Sequence, residues 1–99
     1  MNQVILEGQA ERNAEFRLTK AGGSMATLRF KTEGGKGAYD YHNVVAFGTE
    51  ADLLGEIVEG QSLRVEGRLR TRSYESQGVK RYSTEVVASS IKVIATASS

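Results

Sequence analysis

The sequence predicts an all-β domain, arranged as a sandwich or a barrel. The chain has 99 residues, the length of one domain, and it contains no proline. Several of its eleven glycines fall in turn-forming clusters at residues 21–24, 34–37 and 76–78. Short runs of β-branched and aromatic residues lie between these clusters. They predict strands at residues 4–7 (running on toward 11), 15–19, 25–32, 39–47, 62–74 and 81–94.

One segment departs from the strand pattern and predicts a short helix at residues 49–59. Thr49 is a candidate N-cap, and Glu50 and Asp52 suit the first turn of a helix. Its apolar positions share one face: Leu53, Leu54, Ile57 and Val58. Gly60 then offers a stop, and no second domain or linker follows. Residues 1–99 are therefore expected to form a single domain whose last five or so residues fray.

The charged residues are segregated along the chain. The net charge is only +1, from 13 basic and 12 acidic residues. Lysine and arginine concentrate in residues 12–36 and 64–81, whereas residues 40–59 hold five carboxylates and no lysine or arginine. Such segregation can build a basic surface on a nearly neutral molecule. An ordinary solvated surface is an equal alternative from charge alone.

The residues and motifs that several classes of protein need for their function are missing from this sequence. There is no cysteine, so neither a disulfide framework nor a cysteine zinc site is expected. The single histidine, His42, has no nucleophile-elbow or phosphate-loop motif beside it. We therefore expect no enzyme, no metal and no cofactor. No segment has the ~20 apolar residues of a membrane helix, and the first residues do not resemble a signal peptide.

Alternation divides two of the strands into an apolar and a basic face. In the strand at 25–32, Leu28 and Phe30 point one way while Arg29 and Lys31 point the other. In the strand at 62–74, the inward positions are Leu63, Val65 and Leu69, with Gly67 where a barrel needs a bend. The opposite positions are Arg64, Glu66, Arg68, Arg70, Arg72 and Tyr74.

The strand at 39–47 is ambiguous. Val44 and Ala46 share one face with His42 and Asp40. The other face holds Tyr39, Tyr41, Asn43, Val45 and Phe47. Either face could be the core: a buried aromatic track is ordinary in a small barrel, and so is a small aliphatic one. Alternation does not decide between them.

Three stretches resemble the bacterial single-stranded DNA-binding protein family. They are Asn-Val-Val-Ala-Phe-Gly at 43–48, Val-Glu-Gly-Arg-Leu-Arg-Thr-Arg-Ser-Tyr at 65–74, and Lys-Arg-Tyr-Ser-Thr-Glu-Val-Val at 80–87. The opening at residues 2–8 also matches, so the resemblance covers roughly residues 2–88. The basic run and the Thr-Glu-Val-Val strand are its most specific parts.

This resemblance implies an OB-fold, a five-stranded Greek-key barrel with a helix between strands 3 and 4. It also implies that Tyr41, Phe47 and Tyr74 stack on bases, which favours an exposed aromatic face on the strand at 39–47. The expected phosphate partners are Arg29, Lys31, Arg68, Arg70 and Arg72, with Lys20 and Lys80 at the loop edges. Asn43 is expected to bond sugar or base edges.

The implied partners are single-stranded DNA and further copies of the chain, since family members usually form homotetramers. The position of His42 lies near a subunit contact in the family. The implied role is coating single strands without sequence preference in replication, recombination and repair, in the cytoplasm on the nucleoid. The alternatives are a primosomal replication protein that also binds a helicase, or an OB-fold module for oligosaccharide or protein.

The sequence departs from the family pattern in three ways. It has no tryptophan, although relatives often place tryptophan at the positions of Tyr41 and Tyr74. The glycine-rich loop at 33–38 lacks an aromatic residue that many relatives carry near it. The printed sequence also lacks the family's disordered linker and acidic tip, so tip-mediated recruitment of repair enzymes is not expected from these residues.

Overall fold

The structure is a computed structural model that describes residues 1–95. It contains six strands and one helix. In chain order they are β1 (Val4–Ala10), β2 (Glu15–Leu18), β3 (Ser24–Gly35), β4 (Ala38–Phe47), α1 (Thr49–Leu54), β5 (Ser62–Ser76) and β6 (Val79–Ala95).

Five of the strands close into a barrel. The sheet order is β1-β5-β6-β4-β3-β2, and β1 also pairs with β3, which brings the two sides of the sheet together. The short strand β2 lies outside this ring as an addition to β3. Among the five barrel strands β1, β3, β4, β5 and β6, the helix lies between the third and the fourth. The predicted OB-fold barrel, including the position of its helix, is confirmed.

The core fills the barrel with the inward-facing residues of these strands. Its largest fully buried side chains are Phe30, Leu54, Leu63, Val44 and Val65. The helix supplies Leu54, which covers one end of the core. Each such side chain contributes roughly 1.5–3 kcal/mol by leaving water. This packing fixes which side of every strand faces outward.

Two glycines allow the barrel to close. A Cβ at Gly8 would lie 2.0 Å from the backbone oxygen of Lys31, and a Cβ at Gly67 would lie 2.1 Å from that of Val87. Any side chain at either position would push neighbouring backbones apart. Gly67 also lies at a register shift between β5 and β6, the bend that alternation predicted there.

The pairing between β4 and β6 is short, with two residue pairs like the pairing between β1 and β3. It is parallel and consists of Val44 opposite Val86 and Val45 opposite Val87. By contrast, β5 and β6 pair from Ser62 to Ser76. The β4–β6 seam therefore joins two much more extensive antiparallel sheets.

Residues 68–85 form a two-stranded ribbon beyond the barrel wall. β1 pairs with β5 only as far as Gly67, and β4 reaches β6 only at Val86 and Val87. Leu69, expected to point into the core, is consequently 47% exposed. The ribbon turns at Gln77 and Gly78, both with positive φ, as a two-residue hairpin requires.

The helix is shorter than the sequence indicates. It ends at Leu54, and the residue that precedes it and acts as N-cap is Gly48, not Thr49. Of the four apolar positions expected on its buried face, Leu53 and Val58 are exposed. The expected fraying of residues 95–99 concerns residues outside the described part of the chain, apart from Ala95, which pairs with Ser62. Within residues 1–95, no helix is long and apolar enough to cross a membrane.

Candidate nucleic-acid interface

The aromatic side of β4 faces outward. Tyr41 is 45% exposed and Phe47 is 41% exposed, whereas Val44 and Ala46 on the other side are completely buried. The neighbouring strand β3 pairs with β4 so that Arg29 lies opposite Asn43 and Lys31 opposite Tyr41. The structure thus resolves the ambiguity of this strand. It places rings and cations side by side on the barrel's outer wall.

The outer face, as used below, consists of the outward residues of three strands. They are Arg29 and Lys31 of β3, Tyr39, Tyr41, Asn43, Val45 and Phe47 of β4, and Arg68, Arg70, Arg72 and Tyr74 of β5.

Each cation of β3 covers a ring of β4. The Arg29 guanidinium carbon lies 5.2 Å from the centre of the Tyr41 ring, and the Lys31 ammonium lies 4.7 Å from that of Tyr39. Both distances are within the range of cation–π attraction. Both contacts are diagonal: each cation covers not the β4 residue directly opposite it but the ring two positions earlier on β4. The β3–β4 sheet therefore repeats one cation–ring unit along its length.

Arg29 is further oriented by two polar neighbours. Its Nη1 donates to Oδ1 of Asn43 at 3.1 Å, and its Nε lies 3.3 Å from Oε2 of Glu11. That oxygen of Glu11 is buried and accepts no well-aligned hydrogen bond, so the ion pair with Arg29 is what stabilises its negative charge. Oδ1 of Asn43 therefore already accepts one hydrogen bond, and the amide nitrogen of Asn43 remains a donor for a bound strand.

A groove crosses the middle of the outer face. It has a volume of about 240 Å³, and its lining includes Val45, which is only 3% exposed although it shares the aromatic track. Thr27 and Val87 flank Val45 on the two neighbouring strands. Three guanidiniums line the groove against two carboxylates, a net positive charge: Arg12, Arg29 and Arg72 with Glu15 and Glu85. The groove thus offers phosphate partners above an apolar floor.

A buried carboxylate organises the arginines of the ribbon. Glu85 is 5% exposed, and its Oε1 accepts hydrogen bonds from Nε and Nη2 of Arg70, the former at 3.1 Å. The same oxygen lies 3.4 Å from Nε of Arg72. A buried carboxylate requires such partners. It holds two flexible side chains side by side, and the Arg70 guanidinium lies 5.7 Å from the Phe47 ring on β4.

Two further predicted residues belong to this face. Tyr74 is 44% exposed near the tip of the ribbon, directly opposite Arg81. Arg68 is exposed where the ribbon leaves the barrel, opposite Val87. The outer face thus extends from β3, across the groove, to the end of the ribbon.

Three other predicted residues lie elsewhere. Lys80 shares the opposite side of the ribbon with Tyr82, whose ring centre is 5.9 Å from the Lys80 ammonium. Lys20 is exposed in the turn after the added strand β2. His42 is half-buried on the inward track, where its Nε2 lies 3.0 Å from Oγ1 of Thr32. Their roles in binding or assembly stay predictions.

Sequence reasoning missed two residues of this surface. Arg12 lies in the basic segment 12–36, yet its loop position gave no alternation to follow. Glu85 was noted only as part of a motif. The two-residue turn at Gln77 and Gly78 contained a usable signal, because counting back equally from it pairs Arg70 with Glu85.

Comparisons with known proteins find similar sequences in one family. The sequence model of the Single-strand binding protein family matches residues 1–94. The single-stranded DNA-binding protein of Streptococcus mutans serotype c is 34% identical over 102 residues, 95% of this chain and 62% of the relative. That of Clostridium tetani is 34% identical over 103 residues, 95% of this chain and 70% of the relative. That of Streptococcus pneumoniae serotype 4 is 35% identical over 102 residues, 95% of this chain and 65% of the relative.

This chain therefore spans about two thirds of the length of the curated relatives it matches. The match itself extends through every strand of the barrel, from β1 into the last residues of β6. Fold, exposed aromatic face and sequence similarity lead to one conclusion: the chain belongs to the single-strand binding protein family.

Proposed function

We propose that this chain binds and coats single-stranded DNA, largely without sequence preference, and that it catalyses no reaction. The bases stack on Tyr41, Phe47 and Tyr74, while Arg and Lys side chains of the outer face neutralise the phosphates. The observation that carries the proposal is the exposure of all three rings, at 41–45%, on one face with the cations.

The chemistry of the outer face explains why base preference is weak. Every nucleobase presents a π-face, so a ring accepts any base, and a cation accepts any phosphate. Sequence readout needs fixed donors and acceptors aimed at base edges. On this face, Oδ1 of Asn43 and Oε1 of Glu85 already accept hydrogen bonds from arginines, which reduces the number of acceptors free to read base edges.

The wider role extends single-strand binding to the processes that expose unpaired strands. We propose that the chain protects unpaired strands during replication, recombination and repair, as a homotetramer in the cytoplasm on the nucleoid. His42 is the candidate subunit contact. Mass measurement in solution, with and without oligonucleotide, tests the assembly separately from DNA binding.

The direct test is fluorescence anisotropy of labelled oligo-dT, compared with a duplex of equal length across a salt series. We expect tight binding of the single strand and much weaker binding of the duplex, because paired bases cannot reach the rings. The logarithm of affinity should fall linearly with that of salt, by about 0.7 per neutralised phosphate. Equal affinity for strand and duplex would reject the proposal. A slope near zero would reject the role of the cations.

A further inference from the structure

Tyr39 is a ring of the outer face that the proposed function leaves unused. It is 47% exposed, slightly more than Tyr41, and it lies two residues before Tyr41 on the same side of β4. Its ring is covered by Lys31 in the same diagonal manner in which Arg29 covers Tyr41. The unit that surrounds Tyr41 is therefore present a second time, shifted by one step along the β3–β4 sheet.

The shift between the two units suits an extended nucleic-acid strand. Two residues along a β-strand correspond to about 6.8 Å. This is roughly twice the 3.4 Å rise per nucleotide of a strand within a duplex. Neighbouring bases that leave each other to stack on protein rings have to separate beyond that rise. Tyr39 and Tyr41 are thus placed to receive adjacent nucleotides.

The surroundings of Tyr39 favour a base over a phosphate. Glu33 lies directly opposite Tyr39 on β3, so negative charge stands beside the ring. A cavity of about 350 Å³ adjoins the ring, and Gln9, Lys31 and Ser62 contribute to its lining. An amide and a hydroxyl can bond the polar edge of a base while the ring covers its face. The ion pairs among residues 1–95 do not include Lys31, so its charge is free to balance the strand nearby.

We propose that Tyr39, together with Lys31, forms a further base-stacking position at the β3–β4 end of the outer face. Its ligand is an unpaired nucleobase, next to the base held by Tyr41. This inference rests on the proposed function and adds one nucleotide to the bound strand. The position contributes stacking and leaves the number of neutralised phosphates unchanged.

The test compares two tyrosine truncations. Tyr39→Ala should weaken binding of an oligo-dT that spans the whole outer face by about 5-fold to about 140-fold, the range for one stacked base. Tyr82→Ala is the matched control, because Tyr82 is 66% exposed and has a lysine over its ring but lies on the opposite side of the ribbon. It should leave affinity within about 2-fold. Tyr39→Phe should retain affinity, because stacking needs the ring and not the hydroxyl.

Two further readouts separate stacking from a structural role. The difference between wild type and Tyr39→Ala should shrink on oligonucleotides too short to reach from Tyr74 to Tyr39, because such strands can bind the remaining rings without Tyr39. The salt slope of Tyr39→Ala should equal that of wild type, because no phosphate contact is lost. Thermal unfolding should be unchanged, since the Tyr39 side chain is half in solvent.

The outcomes distinguish this inference from the proposed function. If wild type binds no single strand, the proposed function fails and this inference fails with it. If wild type binds and Tyr39→Ala binds equally well at every length, only the inference fails. An equal loss in Tyr39→Ala and Tyr82→Ala would also overturn it, because the effect would then not depend on the outer face.

Discussion

The β3–β4 sheet and the ribbon present similar side chains on very different supports. Beneath the outer residues of β3 and β4 lies the core, with Leu28, Phe30 and Val44 buried on the reverse side. Beneath the ribbon there is solvent, and its reverse side carries small polar residues such as Thr71 and Thr84, whose hydroxyl oxygens are 3.2 Å apart. The barrel core thus supports the β3–β4 region, whereas the ribbon is held by contacts between its own two strands.

The difference explains how each region fixes its cations. On the barrel, Arg29 and Lys31 rest on tyrosine rings whose strand is immobilised by the core. On the ribbon, Arg70 and Arg72 share one buried carboxylate, Glu85, and Arg70 also lies over the Phe47 ring. Cation–π contacts leave the full positive charge in place, whereas a carboxylate cancels part of it. The charge of Lys31 is therefore left whole, whereas Glu11 offsets part of that of Arg29 and Glu85 part of that of the two ribbon arginines.

The largest effect is expected when the core beneath the outer residues of β3 and β4 is disrupted. Phe30→Ala deletes a completely buried ring directly behind the Arg29 and Lys31 positions. We expect the free energy of unfolding to fall by about 3–5 kcal/mol, the usual cost of such a cavity. Denaturant titration measures it, with Thr84→Ala on the exposed side of the ribbon as control, expected within about 0.5 kcal/mol. A small loss in the free energy of unfolding for Phe30→Ala would mean that this region does not depend on the barrel core for its structure.

The next effect tests whether rings on the two supports contribute equally. Phe47→Ala on the barrel and Tyr74→Ala on the ribbon should each weaken oligo-dT binding by ~1–3 kcal/mol at fixed salt. Their salt slopes should stay close to that of wild type, because a ring neutralises no phosphate. Anisotropy titrations measure both quantities. If Tyr74→Ala has no effect while Phe47→Ala has, the bound strand does not extend onto the ribbon.

A smaller effect is expected from an arginine of the ribbon. Arg72 is exposed on its outer side and lines the central groove. Arg72→Ala should lower the salt slope by about 0.7, the value for one phosphate contact to a single strand. The same salt series applied to the ring variants is the comparison. Rings and arginine with identical slopes would contradict the division between stacking and charge.

The smallest effect concerns the carboxylate itself. Glu85→Gln keeps hydrogen-bonding atoms near Arg70 and Arg72 but removes the negative charge that offsets one of them. We expect the salt slope to steepen by up to about 0.7, with tighter binding at low salt. A shallower slope would mean that ordering the arginines matters more than their net charge.

The sequence predicts the barrel well because alternation and turns are local. In β3, Ala26, Leu28 and Phe30 alternate with polar residues without interruption, and all three are buried. In β4 the pattern fails to choose a face, since Val45 is buried on the same track as the exposed rings. Only the resemblance to a family favoured the correct side.

What the sequence misses depends on contacts between distant segments. The helix was expected to continue past Gly55, but a Cβ there would lie 2.9 Å from the Phe16 ring, so β2 packs against the helix where it ends. The hydrophobic periodicity of residues 49–59 carries no information about Phe16, which lies in a different segment. Likewise, Glu85 looks like any strand carboxylate until cross-strand pairing sets it beside two arginines.

The short seam between β4 and β6 has a mechanical consequence. Only two parallel residue pairs join the strand of Tyr41 and Phe47 to the strand of Glu85. A nucleic-acid strand bound as proposed crosses this seam, because it contacts Tyr41 and Phe47 on β4 as well as the arginines and Tyr74 of the ribbon. Because such a strand contacts both β4 and the ribbon, its binding free energy would oppose their separation at this short pairing. The DNA that the protein coats would then also hold the two sides of the barrel together.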